Sequence, residues 1–176
     1  VAASREHGLH RIECPVPESA ETIPLIKELR HLANSAGVRL AGLETQTSAE
    51  AFRPYLRAGA YDVMMPDVKY AGGPAEMLRI AELFAHHKVA FSPHNPTGPI
   101  CHAHSLQVCA AVRNSDLLEH QFDESPAFDA IIGHAISAPR DGFATLDWTK
   151  PGLGVALETE PEQSKTVSFL AGEFHS

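Results

Sequence analysis

Asp62-Val63-Met64-Met65-Pro66-Asp67, then Gly73-Pro74, then Val89-Ala90-Phe91-Ser92-Pro93-His94 is the stretch on which the fold turns. Two short apolar runs bracket a segment in which Met77, Ile80, Ala81 and Phe84 recur at i, i+3, i+4 and i+7, one face of a helix opened by a proline in its first turn. Strand, helix and strand in that order form a parallel crossover unit. Working outward, three more apolar runs continue the beat: Arg11-Ile12-Glu13, Val38-Arg39-Leu40-Ala41 and Asp116-Leu117-Leu118. The five starts lie 27, 24, 27 and 27 residues apart. That alternation predicts an α/β protein, either a (β/α) barrel or a doubly wound sheet.

The helices between the runs carry their own signals. Leu25, Leu29, Leu32 and Ala36 predict one buried stripe, with Gly37 placed for a left-handed cap. Thr47 and Glu50 have capping-box spacing ahead of Phe52, Leu56 and the stop Gly59. Gly98-Pro99 opens a further helix through Ile100 and Ala103 toward Val112, on which Cys101 and Cys109 read as small core residues. After Gln121 the beat stops. Two β-like pieces, Ala130 to His134 and Phe143 to Leu146, precede Pro151-Gly152-Leu153-Gly154-Val155, and the tail 159–176 is polar apart from Val167 to Ala171.

The chain has 176 residues, 44% of them hydrophobic and 20% charged, with a net charge of −8. This is the profile of a soluble domain with an ordinary core. With no cluster of Lys or Arg it offers no footprint for a phosphate backbone or an anionic bilayer, so neither nucleic acid nor membrane is an expected partner. No run is long enough to span a bilayer, and the opening lacks a signal-peptide layout. Three cysteines without a CxxC pair indicate neither a disulfide framework nor a zinc knuckle, which makes the cytosol the default compartment.

Ligands in parallel α/β folds bind at the carboxyl ends of the strands. The ionisable residues at those ends are Glu13, Glu44, Asp67, His94 and Glu119. Four carboxylates converging on one mouth would repel one another without a cation, and hard oxygen donors suit magnesium or manganese better than zinc. His86, His87, His102 and His104 do not share one helix face and read as exposed or capping residues. Pro93-His94-Asn95-Pro96-Thr97-Gly98-Pro99 holds one imidazole in a rigid loop, and Asp67 on the neighbouring strand end is placed to orient it for proton transfer.

Five runs in register, Arg11 to Pro17, Leu40 to Thr45, Met65 to Gly73, Ser92 to Pro99 and Pro151 to Val155, resemble the enolase superfamily in its mandelate racemase and acid-sugar dehydratase branch, across residues 8–158. The resemblance implies the C-terminal part of a (β/α) TIM-type barrel, about five βα units, plus a C-terminal segment that joins the capping domain. Residues 1–121 would carry barrel strands four to eight, 122–158 the segment packing on barrel and cap, and 159–176 a polar tail. It further implies Mg2+ held by Glu13 and Glu44, a dyad of Asp67 and His94 in which His94 is general base or acid, and Glu119 as an electrophilic acid toward the substrate carboxylate. Asp67 stands where the muconate-lactonizing branch has lysine, and Lys69 is expected on the opposite face of a strand.

Two departures flank the ligands: Cys14 where an acid or Gln is usual, and Leu43 where glycine is usual. The family's third-strand magnesium ligand, its second-strand base and its N-terminal cap have no counterpart here. With the absent initiator methionine, this leads to the expectation of a partial chain, inactive by itself, whose alanine-rich start is the helix after strand three. The implied activity is magnesium-dependent removal of the proton α to a carboxylate, foremost dehydration of a small-molecule sugar acid, in a homo-oligomeric full-length protein. The alternatives are a racemase or epimerase of a 2-hydroxy acid, and a catalytically incomplete half-barrel with a structural role. An unrelated metal-dependent barrel hydrolase is disfavoured by the lack of zinc-spaced histidines.

Overall fold

Runs such as Val63-Met64-Met65 have no polar alternation, so the sheet they form must be covered on both sides. The computed structural model, which describes residues 6–120, 130–133, 135–136 and 138–157, shows how this is done. Strands β1 (Arg11–Glu13), β2 (Arg39–Gly42), β3 (Val63–Met64) and β4 (Ala90–Phe91) form one parallel sheet in the order β1-β2-β3-β4. Ile12 pairs with Leu40, Ala41 with Val63, and Met64 with Phe91. The crossovers are helices α1 (Ile23–Asn34), α2 (Ala49–Ala58), the single turn α3 (Val68–Ala71) followed by α4 (Pro74–His86), and after β4 comes α5 (Pro99–Ala111).

The pleat divides the buried strand residues into two sets. Leu40, Met64 and Phe91 pack against Ile26, Phe52, Leu56, Ile80 and Phe84 of the helices, whereas Ala41, Val63 and Met65 make a separate small cluster. Phe84 lies at the centre of the larger set, edge-on to Phe52 at 5.0 Å and tilted against Phe91 at 6.2 Å. Side chains also reach across the opposite face of the sheet. The Arg11 guanidinium on β1 donates to the Ser92 hydroxyl beyond β4 at 2.7 Å, and Arg39 on β2 pairs with Asp116. Residues on the first and last strands of a flat sheet could not meet, because neighbouring strands stand about 4.8 Å apart. The sheet is therefore an arc, with Arg11, Ala41, Val63 and Ser92 on its inner side, as in a barrel wall.

Several expectations are met directly. Met77, Ile80, Ala81 and Phe84 are the buried residues of α4, with Pro74 in its first turn. Gly37 and Gly59 have φ of +76° and +62° where the helices turn off.

Others need correction. In α1 the buried residues are Ile26 and Ala33, whereas Leu25 and Leu32 are 45% and 52% exposed. This helix packs on β2, and part of its stripe faces a groove of about 150 Å3 lined by Ile12, Pro15, Leu29, Leu32 and Leu40 instead of a closed core. The α2 helix is capped at Ser48 with no side-chain cap bond; Glu50 turns to Arg53, and the orphan Ala49 N–H is taken by Glu76. Asp116 to Leu118 is no strand: an isolated parallel bridge, Phe91 to Ser115, falls just before it. Residues 130–133 of the Ala130 to His134 piece make a helical turn, and of Phe143 to Leu146 only Phe143 bridges, back to Arg140. This later segment packs on α5, where Leu106, Ile136, Leu146 and Leu153 line a cavity of about 20 Å3. Residues 1–5 of the alanine-rich start, 121–129 and the tail from 158 lie outside the described residues.

Candidate active site

Each strand leaves the sheet through a turn whose backbone aims one ionisable side chain. After β1, Glu13 is followed by Cys14 at φ +42°, whose N–H bonds the Ala41 carbonyl at 3.0 Å. After β2, Gly42 and Leu43, the latter at φ +74°, lead to Glu44. After β3, Pro66 cannot continue the ladder, and Asp67 caps α3 by accepting from the Lys69 N–H at 2.8 Å. After β4, Ser92 accepts from Arg11 and donates to the Leu117 carbonyl at 2.7 Å, and Pro93 then delivers His94.

His94 and Asp67 meet. The His94 Nδ1–H donates to Asp67 Oδ2 at 2.9 Å, with the Asp67 side chain 1% exposed and His94 17%. Because that bond fixes the proton on Nδ1, the neutral ring presents its lone pair at Nε2. Nε2 in turn lies 3.5 Å from Glu44 Oε2, so the dyad and the β2 carboxylate share one mouth. The Glu119 carboxylate is brought to the same loop: its Oε2 accepts the Asn95 N–H at 2.8 Å, while the Asn95 side-chain amide donates to the Glu119 carbonyl at 2.8 Å and to His102 Nδ1 at 2.7 Å. Consecutive residues His94 and Asn95 thus tie the candidate base and the candidate acid to a single rigid turn.

Glu13 and Glu44 offer hard carboxylate oxygens from neighbouring strands, with side chains 35% and 28% exposed. That donor set fits magnesium, which takes one or two carboxylates and fills its remaining positions with water and substrate oxygens. Among the described residues no three His, Cys, Asp or Glu converge as a cage. Arg11, two residues before Glu13 and on the same face of β1, is paired with the Glu13 carboxylate.

Sequence reasoning misplaced two residues and overlooked two more. Lys69 is on no strand; α3 swings its ammonium to 3.5 Å from Asp67 Oδ2 and against the Thr97 hydroxyl, so Asp67 serves His94 and Lys69 together. His102 is buried at 2% exposure beside Asn95, not an exposed or capping residue, whereas His86 and His87 are exposed as expected. Glu18 was overlooked although it is an acid fixed behind Pro15-Val16-Pro17, and Arg11 although period-2 alternation places it beside Glu13. The Cys14 sulfur lies 3.4 Å from Glu44 Oε1 and 4.0 Å from Glu18 Oε1. Burial of the thiol, then the Glu18 and Glu44 charges, push it up from 9.0 to about 12, although the residue as a whole is exposed.

Known proteins place this geometry in context. The enolase C-terminal domain-like family model matches residues 1–161. The chain is 35% identical over 152 residues to a D-galactonate dehydratase of Verminephrobacter eiseniae, covering 83% of this chain and 38% of that protein. A D-galactonate dehydratase of Pectobacterium atrosepticum gives 35% over 156 residues, 85% of this chain and 39% of the relative. Among solved structures, a mandelate racemase/muconate lactonizing enzyme-like protein from Rubrobacter xylanophilus superimposes with a TM-score of 0.73 at 31% identity, over 89% of this chain and 38% of that one. An enolase from Agrobacterium radiobacter, solved with Na and L-malate bound, gives 0.71 at 26%, over 84% and 39%. The chain spans about two-fifths of the length of the dehydratases it matches. With an arc of parallel strands, a match over nine-tenths of its length and relatives at this identity, the chain belongs to the enolase C-terminal domain-like family.

Proposed function

We propose that this chain carries the acid–base part of a magnesium-dependent acid-sugar dehydratase acting on an aldonate or aldarate. The observation that carries the reading is the buried Asp67 carboxylate holding His94 by Nδ1, with Nε2 turned to the mouth beside Glu44. Nε2 is the atom through which the proton moves, taking it from the carbon α to the substrate carboxylate or delivering it to the departing β-hydroxyl. The C–H electron pair passes into an enolic intermediate, the β C–O bond breaks, and water leaves; the enol then tautomerises to a 2-keto-3-deoxy acid. Glu119, held by Asn95, would hydrogen-bond the substrate carboxylate. Glu13 and Glu44 would hold the magnesium ion, which supplies electrostatic stabilisation of the charge that develops on that carboxylate. The D-galactonate dehydratases among its relatives support the substrate class, and the neighbour solved with L-malate supports a hydroxy-carboxylate ligand.

The test is a panel of acid sugars, D-galactonate first, incubated with Mg2+ in deuterated water and assayed both for 2-keto-3-deoxy product and for deuterium at C2. Keto acid formed by the wild type and lost in His94→Asn supports the proposal. Deuterium exchange without dehydration would make the chain part of a racemase or epimerase instead. Neither product nor exchange, from this chain or from any longer polypeptide containing it, would leave a structural half-barrel.

A further inference from the structure

Glu18 lies on the loop after β1, outside the acids at the strand ends, yet its Oε1 is a meeting point. The Leu43 N–H and the Tyr61 hydroxyl both donate to it at 2.7 Å, and the Cys14 sulfur stands 4.0 Å away, its single proton directed to Glu44 Oε1 at 3.4 Å. The same oxygen lies 2.4 Å from where a Cβ on Gly42 would sit, and the Tyr61 ring lies 2.9 Å from it. The chain can therefore pass under Glu18 only where residue 42 lacks a side chain.

Two non-glycine residues with left-handed backbone flank the candidate ligands in the turns after β1 and β2: Cys14 at φ +42° directly follows Glu13, and Leu43 at φ +74° directly precedes Glu44. L-residues leave that conformation unless their surroundings over-determine it. Leu43 is fully buried, with its N–H captured by Glu18. Cys14 is fixed from both sides, by its N–H on Ala41 and its sulfur between two carboxylates.

We infer that Glu18 is a positioning residue for the candidate metal carboxylates: by clasping Leu43 and Tyr61 over Gly42 it sets the direction in which Glu44 leaves β2, where the Cys14 thiol ties that carboxylate to the turn carrying Glu13. The inference rests on the reading of Glu13 and Glu44 as magnesium ligands. The Cys14 thiol donates to Glu44, and Glu18 holds Leu43 in a left-handed conformation that a glycine adopts without strain.

The test compares wild type, Glu18→Gln, Glu18→Ala and Tyr61→Phe on the full chain, at matched fraction folded. Calorimetric titration with Mg2+ alone is one readout, and the HN–Hα coupling of Leu43 without metal is the other. Glu18→Ala should lose roughly 10–100-fold in Mg2+ affinity, the range for removing a partner that orients a ligand, and its Leu43 coupling should leave the left-handed value. Glu18→Gln keeps an oxygen that accepts from the same two donors and should restore both readouts. Tyr61→Phe removes one donor without opening the core and should cost roughly two- to tenfold in affinity, which keeps the inference testable if Glu18→Ala does not fold. Wild-type affinity in Glu18→Ala, or equal losses in Glu18→Gln and Glu18→Ala, would overturn it. A wild type that binds no Mg2+ while Glu18→Ala still shifts the Leu43 coupling would sink the metal reading and leave Glu18 as a clasp for the backbone alone, overturning its role toward the metal.

Discussion

Asp62 and Asp67 stand five residues apart, at the two ends of β3, each held by donors but facing different neighbours. At the amino end, Asp62 is closed in by donors: Arg30 Nε at 2.7 Å, the Asn34 side-chain amide at 2.8 Å and the Leu40 N–H at 2.9 Å. Arg30 also caps the Gly59 carbonyl at 2.8 Å, so one acid pins α1, β2 and the end of α2 together. At the carboxyl end, Asp67 accepts from the Lys69 N–H and from His94, whose second nitrogen faces the Glu44 carboxylate, while Glu119 is tied to the next residue, Asn95. An acid whose charge is matched inside the protein serves stability. Under the proposed function, the acids around His94 serve a substrate or an ion that comes from outside.

That contrast can be broken most sharply at His94. His94→Asn should lower turnover by about 10²–10⁴-fold, the range for losing a general acid or base, with Mg2+ affinity and melting temperature nearly unchanged; ordinary dehydration rates in this variant would remove the dyad from the mechanism. At the other end of β3 the expectation reverses. Asp62→Ala leaves Arg30 and the Leu40 N–H without their partner and should cost about 2–3 kcal/mol in urea unfolding, with turnover per folded molecule retained. Glu44→Gln should weaken both Mg2+ binding and turnover, each by roughly tenfold or more, which calorimetry and the keto-acid assay would report together.

The smallest effect concerns Cys14. Because folding raises its thiol from 9.0 to about 12, the folded state holds that proton more tightly. Its contribution to stability is complete below pH 9 and is lost as pH rises toward 12. Alkylation of Cys14 at pH 9, followed by mass spectrometry, should run roughly tens of times slower in the folded than in the urea-unfolded chain, since the scarcity of thiolate outweighs its greater nucleophilicity. Equal rates would show that the thiol is not held away from water beside the two carboxylates.

The positions of Glu13, Glu44, Asp67 and His94 at the ends of four strands were legible because a strand, a turn and a helix repeat at nearly constant spacing; Glu119 follows a run that forms no strand. His94 and Asp67 were legible as a pair for the same reason. Lys69 was not, because its placement depends on Asp67 starting an extra helical turn, a local choice that the Asp67 side chain makes by bonding the Lys69 N–H. His102 reads as a surface histidine on a helix until Asn95 is folded over it. The α1 stripe misled in the other direction: Leu25 and Leu32 have the right period, but period alone does not say whether a neighbour is present to cover them.

By itself, then, the sequence determined the alternation of strands and helices, the prolines and glycines that bound them, and which chemical groups stand at the carboxyl ends of the strands, because these depend on residues close together in the chain. Only the tertiary structure decided that the sheet curves enough for Arg11 to reach Ser92, that Glu18 sits on Gly42, and that His94 faces Asp67 on one side and Glu44 on the other. Those contacts join residues 24 to 81 positions apart. They are set by how the crossovers pack and how the sheet bends, and no local pattern encodes either.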